Sequence, residues 1–599
     1  MMSIRINTIR RTLPALIGFA LLSVVAVQAQ EAAPERAPSA SLSIAGHLVG
    51  QGGETMNGAT AMAAQFGGSV QPRSAIVDSS GDFKFDALDP GVYSVSAFMP
   101  GFVSPPISPD EPRHYYHPGD YVNLTLIKGG VITGTVTTAT NGPVVAAAVH
   151  AFRIKDVNGQ AEQVPVQPRE RQTDDRGVYR FYGLAPGIYV ISVGGQGRSF
   201  VELFLGAYDN DVPTYAPSST RDTAMEVLVH SGEEMTADIQ YRGESGQVIS
   251  GTLGGLVQST SQNMSISTGT ITLTDVRSRT VLMTVPSSSF TNNSFAFSGV
   301  PDGEYEILGQ QFLPSRDYFA SEPIRVKVQG ADVTGINLIL NPLASIAGRV
   351  VLESNPPADC VKRRASALPE TVVYVRRSKS ETDTSAGKSA KGPSVLEIPL
   401  AAPNQAADSI PDAKGEFVLR NLRRGAYRID SQLPGSGWYL RSISSGNPNT
   451  TVKASDPNIP RDGINLKRGE KFSGLNVILT EGAARLRGHL AGVEGPRVPA
   501  GLRVYLVPAE RENAENVLRF FETAAEADAG FAIDNIAPGR YWIIARGSEG
   551  DPAKVKSVRQ DAALRAQLVR EAEALKKEIS FKPCEQTKDY ELPWASSSK

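Results

Sequence analysis

The chain has almost no net charge: 60 Lys and Arg stand against 62 Asp and Glu, a formal charge of −2. That balance argues against nucleic acid as a partner, because phosphate backbones select a basic face. Long apolar runs are missing too. After Val27 no stretch approaches the length needed to cross a bilayer. Histidine is scarce. Of the six, only His114 and His117 are close in sequence, and they sit in a Pro-rich stretch without a helix signal, so they read as a polar surface loop rather than a metal site. No zincin motif is present. No Gly-x-Ser-x-Gly elbow occurs, and Gly195-Gln196-Gly197 and Gly435-Ser436-Gly437 lack the strand-to-helix setting of a nucleophile or phosphate loop. These absences leave no catalytic constellation, no cofactor motif and no metal set to predict.

Residues 1–29 have the form of a secretory signal. Arg5, Arg10 and Arg11 precede an apolar stretch from Leu13 to Val27, and small residues fit cleavage after about Ala29. The mature chain is thereby expected to be exported, to the periplasm, the cell surface or the medium, with no transmembrane segment left after cleavage. In such a compartment two lone cysteines are expected to pair, and Cys360 and Cys584 are the only two.

What is abundant is repetition. An apolar residue, two spacers, Gly, one spacer and Tyr recur five times: Leu88 to Tyr93, Leu184 to Tyr189, Val300 to Tyr305, Leu422 to Tyr427 and Ile536 to Tyr541. Pro90-Gly91 and Pro186-Gly187 predict type II turns. From each Tyr the residues alternate, as in Tyr93-Val95-Ala97 and Tyr541-Ile543-Ala545, so one face of a strand is apolar and the other wet. An aromatic lies five residues before each phrase: Phe83, Tyr179, Phe295, Phe417 and Phe531. Each copy therefore reads as strand, turn, strand, with Tyr93, Tyr189, Tyr305, Tyr427 and Tyr541 in the structural role of a tyrosine corner.

A second phrase opens each unit: Ile44-Ala45-Gly46, Ile132-Thr133-Gly134, Ile249-Ser250-Gly251, Ile346-Ala347-Gly348 and Leu486-Arg487-Gly488. It reads as a first strand with an outward small residue. The distance from this Gly to the Tyr is 47, 55, 54, 79 and 53 residues in turn. The excess in the fourth unit falls on 378–393, which is poor in apolar residues and is expected to be a disordered insert. Four units end in an alternating closing strand, and the fifth shows none of that type. In its place, Asp551 to Ile579 reads as an amphipathic helix capped by Asp551, with Leu564, Leu568, Ala572, Leu575 and Ile579 on one stripe.

The expected architecture is all-β: five tandem Greek-key β-sandwich domains plus one C-terminal amphipathic helix. The boundaries are 1–29 signal peptide, 30–41 disordered linker, 42–128, 129–242, 243–341, 342–481 and 482–549 for the five sandwiches, and 550–599 for the helix and tail. Longer arms follow the Tyr strands at Pro105 to Asp120, Phe200 to Arg221 and Trp438 to Gly463. Their aromatics, Tyr115, Tyr116, Tyr208, Tyr215, Trp438 and Tyr439, are candidate stacking platforms for a ligand.

The Ile-x-Gly-x-Val opening, the Gly-x-Phe-x-Phe strand and the Leu-x-Pro-Gly-x-Tyr turn resemble the carboxypeptidase regulatory-like domain. That domain is also described as transthyretin-like or prealbumin-like, and is similar to B-type adhesin repeats. The resemblance covers about residues 42–548. It implies a small Greek-key sandwich, sometimes grouped with carbohydrate-binding-like folds, acting as an extracytoplasmic accessory or adhesive module without catalysis of its own. The His and Glu ligands of a metallocarboxypeptidase catalytic domain are absent. The functional expectation is an exported, non-enzymatic module for binding, adhesion or spacing, whose partner is a protein or glycan of the cell envelope. The alternative is an extracytoplasmic hydrolase, or an accessory subunit of an envelope enzyme or receptor.

Overall fold

In all five units the turn phrase joins two different sheets. The strand before it pairs with the opening strand, whereas the Tyr strand lies in the second sheet. In the first unit, Asp82–Leu88 pairs antiparallel with Leu42–Gly50, and Tyr93–Phe98 pairs with Thr60–Gln65 in the opposite sheet. The phrase is thus the corner of a sandwich, and its apolar alternation fills the space between the sheets.

The computed structural model describes residues 42–594 apart from 68–70, 106–114, 158–159, 165–168, 196–207, 209, 258, 262–263, 267, 289–291, 314–316, 355–359, 361–364, 378–409, 447–457, 493–500, 527 and 548–556. The signal and linker expectations (1–41) and the insert (378–393) lie outside the described residues. Leu42–Lys599 forms one compact unit.

Each sandwich has its own core. Ile44, Phe85 and Tyr93 belong to the first, and Ile132, Phe181 and Tyr189 to the second. Ile249, Phe297 and Tyr305 belong to the third, Ile346, Leu419 and Tyr427 to the fourth, and Leu486, Ile533 and Tyr541 to the fifth. A closing strand runs parallel beside the opening strand: Tyr121–Lys128, Glu234–Thr236 with Ile239–Gln240, Val333–Ile339, and Lys471–Glu481. This pairing explains the opening Gly. A Cβ on Gly134 would lie 2.1 Å from the Ala237 carbonyl oxygen, and one on Gly46 would lie 2.3 Å from that of Val122.

The fifth sandwich departs from the expected boundaries. Gln586–Pro593 runs parallel to Ala484–Ala491, and Glu578–Phe581 pairs with Gly539–Gly547. The domain therefore closes with the tail and does not end at 549. Its closing strand escapes the repeat pattern because Lys588, Asp589 and Glu591 sit on it, charges that suit an exposed edge. The helix is an insertion within this sandwich. It spans Ala562–Leu575 with Asp561 as its cap, the carboxylate accepting from the Leu564 N–H. Asp551 lies outside the described residues, and Ile579 belongs to a strand. Leu568 and Ala572 pack on Tyr505, Val507 and Ile544, the outer face of the second sheet. Among the described residues, no helix is long and apolar enough to cross a membrane.

Candidate functional site

The phrase Tyr residues are corner locks. Each hydroxyl donates to the carbonyl four residues back: Tyr93 to Asp89, Tyr189 to Ala185, Tyr305 to Pro301, Tyr427 to Arg423 and Tyr541 to Ala537, at 2.7–2.9 Å. Burial raises the pKa of Tyr93, Tyr189, Tyr305 and Tyr541 above the usual phenol value. The phrase Gly is not the positive-φ centre of a type II turn. Gly187, Gly425 and Gly539 take φ of 150°, 144° and 147°, and a long side chain lies against each. Arg153 donates to the Pro186 carbonyl at 3.0 Å and Arg377 to that of Arg424 at 3.2 Å, and a Cβ on Gly187 would sit 2.7 Å from Arg153 Nε.

The left-handed residue lies one position before each phrase. Ala87, Gly183, Gly299, Asn421 and Asn535 have φ from 53° to 69°, and each makes a bulge against the opening strand. In sandwiches two to five this bulge meets the preceding sandwich. Gly183 faces Val103, and a Cβ on Gly299 would lie 2.6 Å from the Asp211 carbonyl oxygen. The Asn421 side-chain oxygen accepts from the Tyr318 N–H at 2.9 Å, and the Asn535 amide donates to the carbonyls of Gly435 and Trp438 at 3.1 and 2.7 Å. One joint is thus used four times. The sequence carries a trace of it, the αL-tolerant residues Gly and Asn at one repeat position, but a partner about a hundred residues away cannot be read from that trace.

Further contacts fix the array. The His117 Nε2 lies 2.9 Å from the Glu370 carbonyl oxygen, and Gln432 Nε2 donates to the Tyr115 carbonyl at 3.1 Å, so the first sandwich touches the fourth. His117 is therefore largely buried and not on a free loop, while His114 lies outside the described residues. Burial works against the charged imidazole, but Asp120 and the Glu370 carbonyl outweigh it and raise its pKa; Asp120 is lowered, its bonds to His117 outweighing burial. Cys360 and Cys584 are joined by a disulfide, with Cα atoms 5.5 Å apart, which ties sandwich four to the closing hairpin of sandwich five.

The candidate stacking aromatics do not form one platform. Tyr215 and Trp438 are 3% and 4% exposed. Tyr208 packs edge-on to Tyr241, Tyr115 packs on Phe66, and Tyr439 packs against the fifth core. Trp438–Ser445 is no loop but a strand paired with Lys471–Glu481. Asp174 serves its turn, accepting from the N–H groups of Arg176 and Val178. Among the described residues, no group of three or more His, Cys, Asp or Glu is placed to hold a metal.

No protein-family model and no curated protein matches the chain. Several solved structures share local similarity. The Bacillus anthracis TIE protein is 15% identical over 50% of this chain and 51% of its own, about half its length, with a TM-score of 0.14. GBS52, the minor pilin of Streptococcus agalactiae, is 12% identical over 34% of this chain and 98% of its own, at 0.19. BcpA, the major pilin subunit of Bacillus cereus, is 12% identical over 50% of this chain and 99% of its own, at 0.13.

Proposed function

We propose that this chain is an exported, non-enzymatic protein that serves as a structural spacer or adhesion module in the cell envelope, holding its arms in fixed positions for a protein or glycan partner. The observation that carries this reading is the joint repeated at Gly183, Gly299, Asn421 and Asn535, reinforced by the contact between sandwiches one and four. Five sandwiches locked by hydrogen bonds make a presenting frame rather than a flexible string. The resemblance to carboxypeptidase regulatory-like domains points the same way. A glycan ligand would have to use groups other than Tyr215 and Trp438, which are buried. The test is fractionation of cells expressing the full sequence, with N-terminal sequencing of the product. An envelope or secreted protein starting near residue 30 is expected; an uncleaved product in the cytosol would sink the reading.

A further inference from the structure

Sandwiches three and four close with nearly the same strand. Val333-Thr334-Gly335-Ile336-Asn337-Leu338-Ile339 stands where the fourth has Phe472-Ser473-Gly474-Leu475-Asn476-Val477-Ile478. Each runs parallel to its opening strand with the same break in register, Gly251 facing Ile336 and Gly348 facing Leu475. Gly335 and Gly474 take φ of 77° and 82° at that break. The far edges of the two strands differ. In the fourth sandwich, Trp438–Ser445 pairs antiparallel with this edge from Glu481 to Leu475. The Gly446 N–H then donates to the Gly474 carbonyl at 2.9 Å, and the Asn476 amide donates to the Gly446 carbonyl. Asn476 is thereby buried, 5% exposed.

In the third sandwich the same strand position is begun and abandoned. Phe319 and Ala320 pair with Pro342 and Asn341, as Trp438 and Tyr439 pair with Glu481 and Thr480. The chain then leaves for the second sheet, where Ile324–Val328 pairs with Gly303–Phe312. Among the described residues, no strand lies on the remaining edge, 335–339, and Val333–Ile339 ends its three-stranded sheet. Asn337 is exposed, and Ile339 is 56% exposed. The Asn337 side-chain oxygen accepts from the Thr252 hydroxyl at 3.5 Å, and among the described residues its amide nitrogen has no partner. The Leu340 N–H is spent on the opening strand, donating to the Gly254 carbonyl. Backbone groups alternate sides along a strand, so those of Asn337 and Ile339 face outward from the sheet edge. This edge lacks the usual protection. Val333–Ile339 carries no charge and no Pro, whereas Lys588, Asp589 and Glu591 guard the closing strand of the fifth sandwich. Ile324, Val326 and Val333, which pack against this core, stay partly exposed.

We propose that the open edge 335–339 of sandwich three binds an extended segment of a partner protein as an added antiparallel strand, in the place that residues 442–446 take on sandwich four. The segment it fits is uncharged and alternates a small hydroxyl residue with an aliphatic one. Ser442, Ile443 and Ser444 fill the equivalent place, with Ile443 buried in the core of the fourth sandwich. Backbone bonds supply the affinity, the aliphatic side chain supplies the selectivity, and the Asn337 amide holds the end of the incoming strand as Asn476 does. This goes beyond a spacer role and holds whether or not the chain is exported.

The test uses a labelled synthetic peptide with the sequence of residues 440–446, titrated into the full chain and followed by anisotropy and by amide hydrogen exchange. Without peptide, Asn337 and Ile339 should exchange faster than Asn476 and Ile478. Saturable binding should slow exchange at Asn337 and Ile339 and leave Asn476 and Ile478 unchanged. Asn337→Lys and Asn337→Ala, at an exposed position, should each weaken binding about tenfold, as should I443K in the peptide. Absence of binding, or unaltered binding by folded Asn337→Lys, overturns the proposal. So does protection of Asn337 and Ile339 before peptide is added, or a peptide effect confined to Asn476 and Ile478, which would mean strand exchange in sandwich four. A concentration-dependent dimer dissolved by Asn337→Lys would assign the edge to a second copy of the chain and overturn it as well.

Discussion

The first and fifth sandwiches use the same strands to opposite effect. In the first, the second sheet turns its outer face to solvent: Ile76, Phe98 and Met62 are 66%, 62% and 38% exposed, and Ile76 and Phe98 both pair with Thr60. In the fifth, the corresponding face is buried beneath the inserted helix, with Tyr505, Val507 and Ile544 under Leu568 and Ala572. The core between the sheets is alike in both. The difference arises after the Tyr strand, where the fifth unit inserts a helix, so the arms and not the repeated phrase decide what each sandwich shows to its surroundings.

Reducing the disulfide should break this comparison most strongly. Cys360 and Cys584 close a span of 224 residues, worth about 5 kcal/mol in the chain-entropy picture. Calorimetry with and without reductant should show the fifth sandwich losing stability while the first keeps its own; two thiols found free in the untreated protein would contradict the bond. Next comes the cover itself. Leu568→Ala should cost about 2–5 kcal/mol, whereas Phe98→Ser on the bare face should stay within about 0.5 kcal/mol. Equal losses in chemical denaturation would mean that Phe98 is not solvated.

The corner locks should behave alike at the two ends except for one added contact. Tyr93→Phe removes one hydrogen bond and should cost about 1 kcal/mol, whereas Tyr541→Phe also removes the bond that Arg519 donates to its hydroxyl at 3.2 Å and should cost more. Tyr189→Phe should match Tyr93→Phe and leave ligand binding by the folded protein intact. The smallest effect concerns pH at the first sandwich. The raised His117 pKa gives stability that is complete below the unfolded imidazole value of about 6.5 and is lost as pH rises through the folded value. The lowered Asp120 pKa gives stability present above about 3.9 and lost as pH falls through its folded value. The stability difference between wild type and His117→Gln, followed by thermal unfolding, should therefore peak between pH 4 and 6.5 and shrink on both sides. A flat difference would remove the charged pair.

Much of the sandwich was legible because its signals are local. The Tyr bonds a carbonyl four residues away, and alternation reports a half-buried strand within six residues. The outer face of the fifth sandwich was expected to be wet like the others, although apolar Trp542 and Ile544 stand there where the first sandwich has Ser94 and Ser96. The closing strand of the fifth was hidden because its edge charges mask the alternation. The role of the opening Gly was hidden because the carbonyl that excludes a side chain comes from a parallel strand far along the chain, about a hundred residues away for Gly134 and Ala237.

By itself, then, the sequence determined the strand-and-corner unit and its fivefold repetition, since both rest on turn chemistry and period-two patterning within short windows. Tertiary structure alone decided how the units meet: the Asn421 and Asn535 joints, the reach of His117 to the fourth sandwich, and the arginines gathered around Glu322. Such contacts depend on surfaces brought together from distant segments, and a polar side chain at a surface carries no mark of the carbonyl or charge that another domain will place beside it.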